Sequence, residues 1–234
     1  MQASQAQLNR SIQLLKPIPV WSPYHAQAQE ILPAYENQIS ALDQITEAQA
    51  LAYQAALDSQ NPPHAVSTWQ DIAEKWRAAA NALSNVPADS PVREFADRKL
   101  VEYRTNRATI LVRIEAEAKA EMSLRQAQQA ATLGNKQAEA AQSLADWENA
   151  LASWEAAVDG LSQIPQGTNA HSEAQENLPD YLKRLEEVRD RTQQERSASQ
   201  ELSKAKQLAA NAEQAAREDQ WTISAESWKT HSAS

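Results

Sequence analysis

The sequence predicts an all-α protein: an array of helical hairpin repeats with a period of about 70–80 residues, with long coiled-coil-like helices joined at short corners. Three observations carry this. The composition is dominated by Ala, Gln, Glu, Leu, Lys and Arg, all strong helix formers, whereas the β-branched residues that favour strands are sparse. Three prolines sit in the same apolar frame. Tryptophans recur in pairs seven residues apart.

The frame is anchored on Pro19, Pro87 and Pro165. Four residues before each is a leucine (Leu15, Leu83, Leu161), and one before is an aliphatic (Ile18, Val86, Ile164). Three after comes a hydroxyl (Ser22, Ser90, Thr168), and nine after an alanine (Ala28, Ala96, Ala174). Further on stand Leu32, Leu100 and Leu178, then Tyr35, Tyr103 and Tyr181, then Leu42, Ile110 and Val188. Upstream lie the pairs Trp69/Trp76 and Trp147/Trp154, and a further pair, Trp221/Trp228, follows. Self-similarity of this kind marks a repeat architecture. It divides the chain into 1–68, with an atypical first half, 69–146, 147–220 and the start of a truncated fourth copy at 221–234. A fragment of a longer array, or a degenerate last unit, is expected.

Residues seven apart share one helix face. Trp69, Trp76 and Leu83 form such a stripe, and Trp147, Trp154 and Leu161 form the next. Each first helix should stop one or two residues before its proline, which lacks an N–H and clashes with the preceding turn. Ser22-Pro23 and Ser90-Pro91 supply an N-cap hydroxyl and a proline at the first helical position. Thr168 and Asn169 offer the same cap in the third copy. Pro33 and Pro179 predict a break or a kink in the second helices, while Pro91 to Gly134 contains no breaker. Asn61-Pro62-Pro63 is the clearest stop. In the third copy Leu178, Tyr181, Leu185 and Val188, then Leu202, Ala205, Ala209, Ala212 and Ala216, predict coiled-coil packing. Arg191 to Glu195 interrupts that seam, either as a solvated face or as a docking point.

The segment from Asp146 to Pro165, an aromatic and alanine helix ending at a proline, resembles the junction of tetratricopeptide-like repeats. It is more similar still to a repeat of uncharacterised cyanobacterial proteins, Trp-x6-Trp-x6-Leu-x2-Ile/Val-Pro, then Ala-x3-Leu-x2-Tyr. The period departs from the tetratricopeptide value of roughly 34 residues. The glycine of that family's first helix is also absent. The resemblance therefore implies long helical arms joined by short capped corners.

The function classes follow from charge and motif. A net charge of −9 argues against nucleic acid as a partner, because phosphate binding needs clustered Lys and Arg. The lack of cysteine removes disulfides and thiolate metal sites and fixes no compartment. The first fifteen residues lack a basic, then apolar, signal-peptide pattern, and no apolar run is long enough to cross a membrane. The four histidines read as surface residues, since no metal-ligand spacing occurs among them. Glu115, Glu117 and Glu121, like Glu186, Glu187 and Asp190, read as solvent-facing ion partners. No catalytic residue, cofactor site or metal site is predicted, and the chain is expected not to be an enzyme.

Trp69, Trp76, Leu83, Tyr103, Trp147, Trp154, Leu161, Tyr181, Trp221 and Trp228 are assigned to the repeat core. Trp21 stands where the other corners carry Asp89 and Gly167, and is either a corner plug or an exposed contact. With Arg191 and Glu195 it forms the candidate partner-binding set. The expected function is a non-enzymatic scaffold for protein–protein interaction. A rod or self-association segment, and a regulatory segment of a larger protein, are the alternatives.

Overall fold

The computed structural model describes the backbone of residues 2–231 and the side chains of 3–221. Among these the chain is all helical, with no strand. The helices are α1 (Gln2–Leu15), α2 (His25–Asp58), α3 (Val66–Ser84), α4 (Arg93–Ala140), α5 (Leu144–Ser162) and α6 (Asn169–His231). Short and long helices alternate. The chain divides into two compact units, one of Met1–Met122 with Pro165–His171, the other of Ser123–Ile164 with Ser172–Ser234.

The three corners share one set of backbone hydrogen bonds. The N–H groups of Ile18, Val86 and Ile164 donate to Leu15, Leu83 and Leu161. Those of Ser22, Ser90 and Thr168 donate to the anchor prolines, and those of His25, Arg93 and His171 donate to Ser22, Ser90 and Thr168. The first bond of each set falls on a carbonyl that the helix end leaves free. The turns also place the last helical residue three positions before the proline, at Ser84 and Ser162, one or two residues earlier than the proline alone dictates. Ser22 and Ser90 hold this turn rather than cap the first residue of the helix: their Oγ atoms accept from Tyr24 and Val92 N–H at 3.3 and 3.4 Å.

Pro33 and Pro179 neither end nor divide their helices. Both prolines, and the residues four positions earlier whose carbonyls lose a donor, are exposed, so water can satisfy those carbonyls. Gly134 lies inside α4, and α4 runs through it. The α4–α5 connection is three residues long and is closed by a capping box. Ser143 Oγ accepts from Asp146 N–H at 3.3 Å, and Asp146 Oδ2 accepts from Ser143 N–H at 2.9 Å and Gln142 N–H at 3.1 Å. Hydrogen bonds from the Ser143 hydroxyl, then from Gln142 N–H, hold the Asp146 carboxyl below its ordinary range. Its contribution to stability is therefore present above that range and fades as the pH falls through it.

In the first unit, α3 packs on the distal half of α2. Ala41, Ile45, Ala48, Ala52 and Ala55 are buried in one cluster with Trp69, Ile72, Trp76, Ala79 and Leu83, and Leu51 flanks them. In α4 the same face reads Ala120, Leu124, Ala127, Ala131 and Gly134, all buried, flanked by Ala130. The steps of four and three residues are those of a coiled-coil seam. In the second unit α5 lies on the part of this seam from Ala127 to Gly134. A Cβ at Gly160 would stand 3.1 Å from Ala127 Cβ, and one at Gly134 would stand 2.7 Å from Trp154 Cδ1.

That contact sets a test. Alanine in a helix interior normally gains about 1 kcal/mol over glycine. At Gly134 the new methyl would meet a buried indole, and overpacking of this kind costs about 1–3 kcal/mol. Gly134→Ala is expected to lower the thermal midpoint in a circular-dichroism melt, and an unchanged or raised midpoint would show that α5 does not sit this close to α4.

Candidate interaction surfaces

The core assignments separate by helix. Trp69, Trp76, Leu83, Tyr103, Trp154 and Leu161 are buried. Trp147 and Tyr181 are partly buried and pack against the cluster of the second unit. Trp221 is a correction: it is 78% exposed, because nothing among the described residues covers the end of α6. The side chain of Trp228 lies outside the described residues. The expected helix restart at Trp221 is also absent, since α6 runs on to His231. Between Ala138 and Trp147 the chain has eight residues in which to turn, and between Ala216 and Trp221 only four.

Each unit holds an aromatic cluster with the same spacings. Trp76 and Tyr103, twenty-seven residues apart, have ring centroids 5.3 Å apart, and Trp154 and Tyr181, at the same spacing, 5.4 Å. Burial pushes both phenols above their ordinary range. Arg113 lies 5.7 Å over Trp69, and Arg191 lies 5.5 Å over Trp147, each pair forty-four residues apart. A guanidinium over an indole face is an attractive cation–π contact. Arg113 has no signal in a search for apolar periodicity, because its contribution is made through charge and a ring face.

This changes the picture of residues 191–195. Arg191 is held by Trp147 and pairs with Glu195 at 2.6 Å. Thr192 between them is buried, with its Oγ1 2.8 Å from Val188 O and 3.3 Å from Trp147 O. The stretch does not interrupt the packing; it continues it with polar atoms. Arg196 and Arg189 extend the same contact to Glu148 and Glu155 at 2.9 and 3.3 Å. Beyond this point the expected coiled coil is not formed: Leu202, Ala205, Ala209, Ala212 and Ala216 are all exposed.

Two polar residues depart from the surface reading. Glu117 is fully buried, and its Oε2 accepts the N–H of Asn169, the first residue of α6, at 2.8 Å. A carboxylate from one helix thus caps another, where the helix dipole favours negative charge. His25 bonds through Nδ1 to Ile18 O at 2.9 Å, and at the equivalent position Arg93 Nη1 donates to Val86 O at 2.6 Å. Both side chains clasp their corner shut.

Among the described residues, the first corner carries the most exposed large apolar side chains. Val20 and Trp21 are 82% and 85% exposed, and Leu14 and Tyr24 are exposed beside them in sequence. Trp21 is therefore not a corner plug. The equivalent positions elsewhere hold Ala82 and Gly160 for Leu14, Ala88 and Gln166 for Val20, and Asp89 and Gly167 for Trp21. Among the described residues no group of three or more His, Cys, Asp or Glu is placed to hold a metal ion, and no helix is long and apolar enough to cross a membrane. No family model matches the chain, and neither the curated proteins nor the solved structures contain a match.

The two exposures of tryptophan give a paired test. Trp154→Ala should cost about 3–5 kcal/mol, as large-to-small changes in a packed core do. Trp221→Ala should leave the denaturation midpoint unchanged within error. Equal effects of the two substitutions in a urea titration would contradict this assignment of core and surface.

Proposed function

We propose that the chain is a non-enzymatic helical-repeat scaffold that binds another protein. The observation that carries this reading is the first corner. A rod or spacer needs a regular seam and polar outer faces. Here four large apolar side chains, Leu14, Val20, Trp21 and Tyr24, stand exposed within eleven residues, three of them at positions where the other corners carry small or polar residues. Exposed apolar groups that break a repeat pattern are more economically explained by a partner than by folding, and tryptophan and tyrosine are enriched at the centres of protein interfaces.

The rest of the chain suits such a role. Matching Trp–Tyr and Trp–Arg clusters give each unit its own anchor. Nothing in the residues proposed as the interface is chemically reactive. Arg191 and Glu195 are not included in that interface, because both already have partners inside the chain.

The test is affinity capture from a lysate of the source organism, with wild-type chain and a Val20→Ser/Trp21→Ser variant as parallel baits. A protein retained by the first and lost from the second, with both baits giving the same thermal midpoint, is the expected result. Identical recoveries from the two baits would remove the first corner from the interface and with it the main support for this reading.

A further inference from the structure

The distal half of α6 presents a face that this molecule already uses twice, each time to hold a helix of one kind. Leu202 and Ala205 correspond to Leu124 and Ala127 of α4, Leu208 and Ala209 to Ala130 and Ala131, and Ala212 to Gly134. The register is constant at seventy-eight residues. The same face of α2 reads Ile45, Ala48, Leu51, Ala52 and Ala55. On α2 it is covered by α3, and on α4 by α5. On α6 every one of these positions is exposed, with Leu202 at 57% and Leu208 at 68%.

The occupants of the two filled faces define what a third must be. Both are nineteen-residue helices with a large residue every seventh position, Trp69-Trp76-Leu83 and Trp147-Trp154-Leu161. Both carry a small residue, Ala82 or Gly160, one position before the last leucine. In α5 that small residue is what lets the helix approach Ala127 closely, so that Trp154 can reach over Gly134. The chain's own Trp221 and Trp228 cannot turn back onto this face in the manner of α5, because α6 continues through them without a connection.

We infer that the exposed face of α6, from Leu202 to Ala212, is the docking site for an amphipathic helix of the α3 and α5 type, brought by a partner molecule. Such a helix carries Trp-x6-Trp-x6-Leu with a small residue beside the leucine. This rests on the scaffold reading and gives it a second surface and a partner of defined chemistry.

The probe is a fluorescein-labelled peptide of residues 143–166, which contains the whole of α5 with its cap, titrated with the full chain and read by anisotropy. Saturable one-to-one binding is expected. Ala205→Glu/Ala209→Glu in the chain should weaken it at least about a hundredfold, because a carboxylate would be buried without a partner. Both positions are exposed, so the melting midpoint of that variant should match wild type and the loss cannot be blamed on unfolding. Trp154→Ala in the peptide should weaken binding comparably. Absence of saturable binding overturns the inference. So does binding that survives the two glutamates, since the peptide would then sit on the α4 face or elsewhere. Self-association of the wild-type chain in sedimentation equilibrium, abolished by the same two glutamates, also overturns it, by assigning the face to a second copy of α6. In each of these cases a partner lost from the Val20→Ser/Trp21→Ser bait would leave the scaffold reading standing.

Discussion

The structure depends on how closely a short helix can approach a long one. The long helices α2 and α4 offer a seam of alanine, with glycine at one position, and the short helices offer tryptophan and leucine in return. Small residues on one side and large ones on the other let two backbones come near while the indole fills the space beside them. Dispersion falls off steeply with separation, so the energy of this arrangement lies in the last half ångström. Close-packed interiors tolerate neither a missing methylene nor an added one, and the Gly134–Trp154 contact is the place where that is most acute.

The remaining features keep the approach in register. Corner turns fix where each short helix stops, and the His25 and Arg93 clasps tie the first and second corners to the start of the next long helix. Tyr103 and Tyr181 then meet Trp76 and Trp154 from the long helix that follows. Thus α3 and α5 are each held between a seam behind and a tyrosine ahead. The Arg113 and Arg191 contacts act on the outer tryptophans, where a ring face open to the edge of the core can hold a guanidinium that keeps its hydration. Glu117 does the same work for the start of α6, at a position where the chain has Asn169 with an N–H rather than a proline.

The helical class, the corners and most of the buried stripe were legible in the sequence because they follow from local rules: proline placement, helical period and hydroxyl spacing. Trp69, Trp76, Leu83, Trp154 and Leu161 are where their period puts them. What was not legible follows from contacts between residues distant in sequence. Glu117 looks like any surface glutamate until α6 begins beside it, and Gly134 looks like a weak point in a helix until Trp154 leans on it. The residues 191–195 read as a polar interruption because hydropathy gives no credit to a threonine hydroxyl bonded to a carbonyl or to an arginine stacked on an indole. Trp221 misled for the opposite reason. Its period is right, but burial needs a second helix, and periodicity says only which face is prepared for one.

That distinction between a prepared face and a filled one also explains why α6 persists as a helix where nothing among the described residues packs on it. Ala, Gln, Glu, Lys and Leu dominate its distal half, so intrinsic propensity favours the helical state at nearly every position. Pairs such as Lys204–Glu201 at 2.7 Å and Gln214–Glu218 at 3.0 Å add a little more. Nucleation, the costly step for an isolated helix, is already accomplished by the packed proximal half around Leu185 and Val188. The distal half therefore extends an existing helix at small cost per residue and presents its apolar face already ordered. A partner that docks there does not have to supply the conformational entropy of folding its site, and more of the contact energy is left for binding.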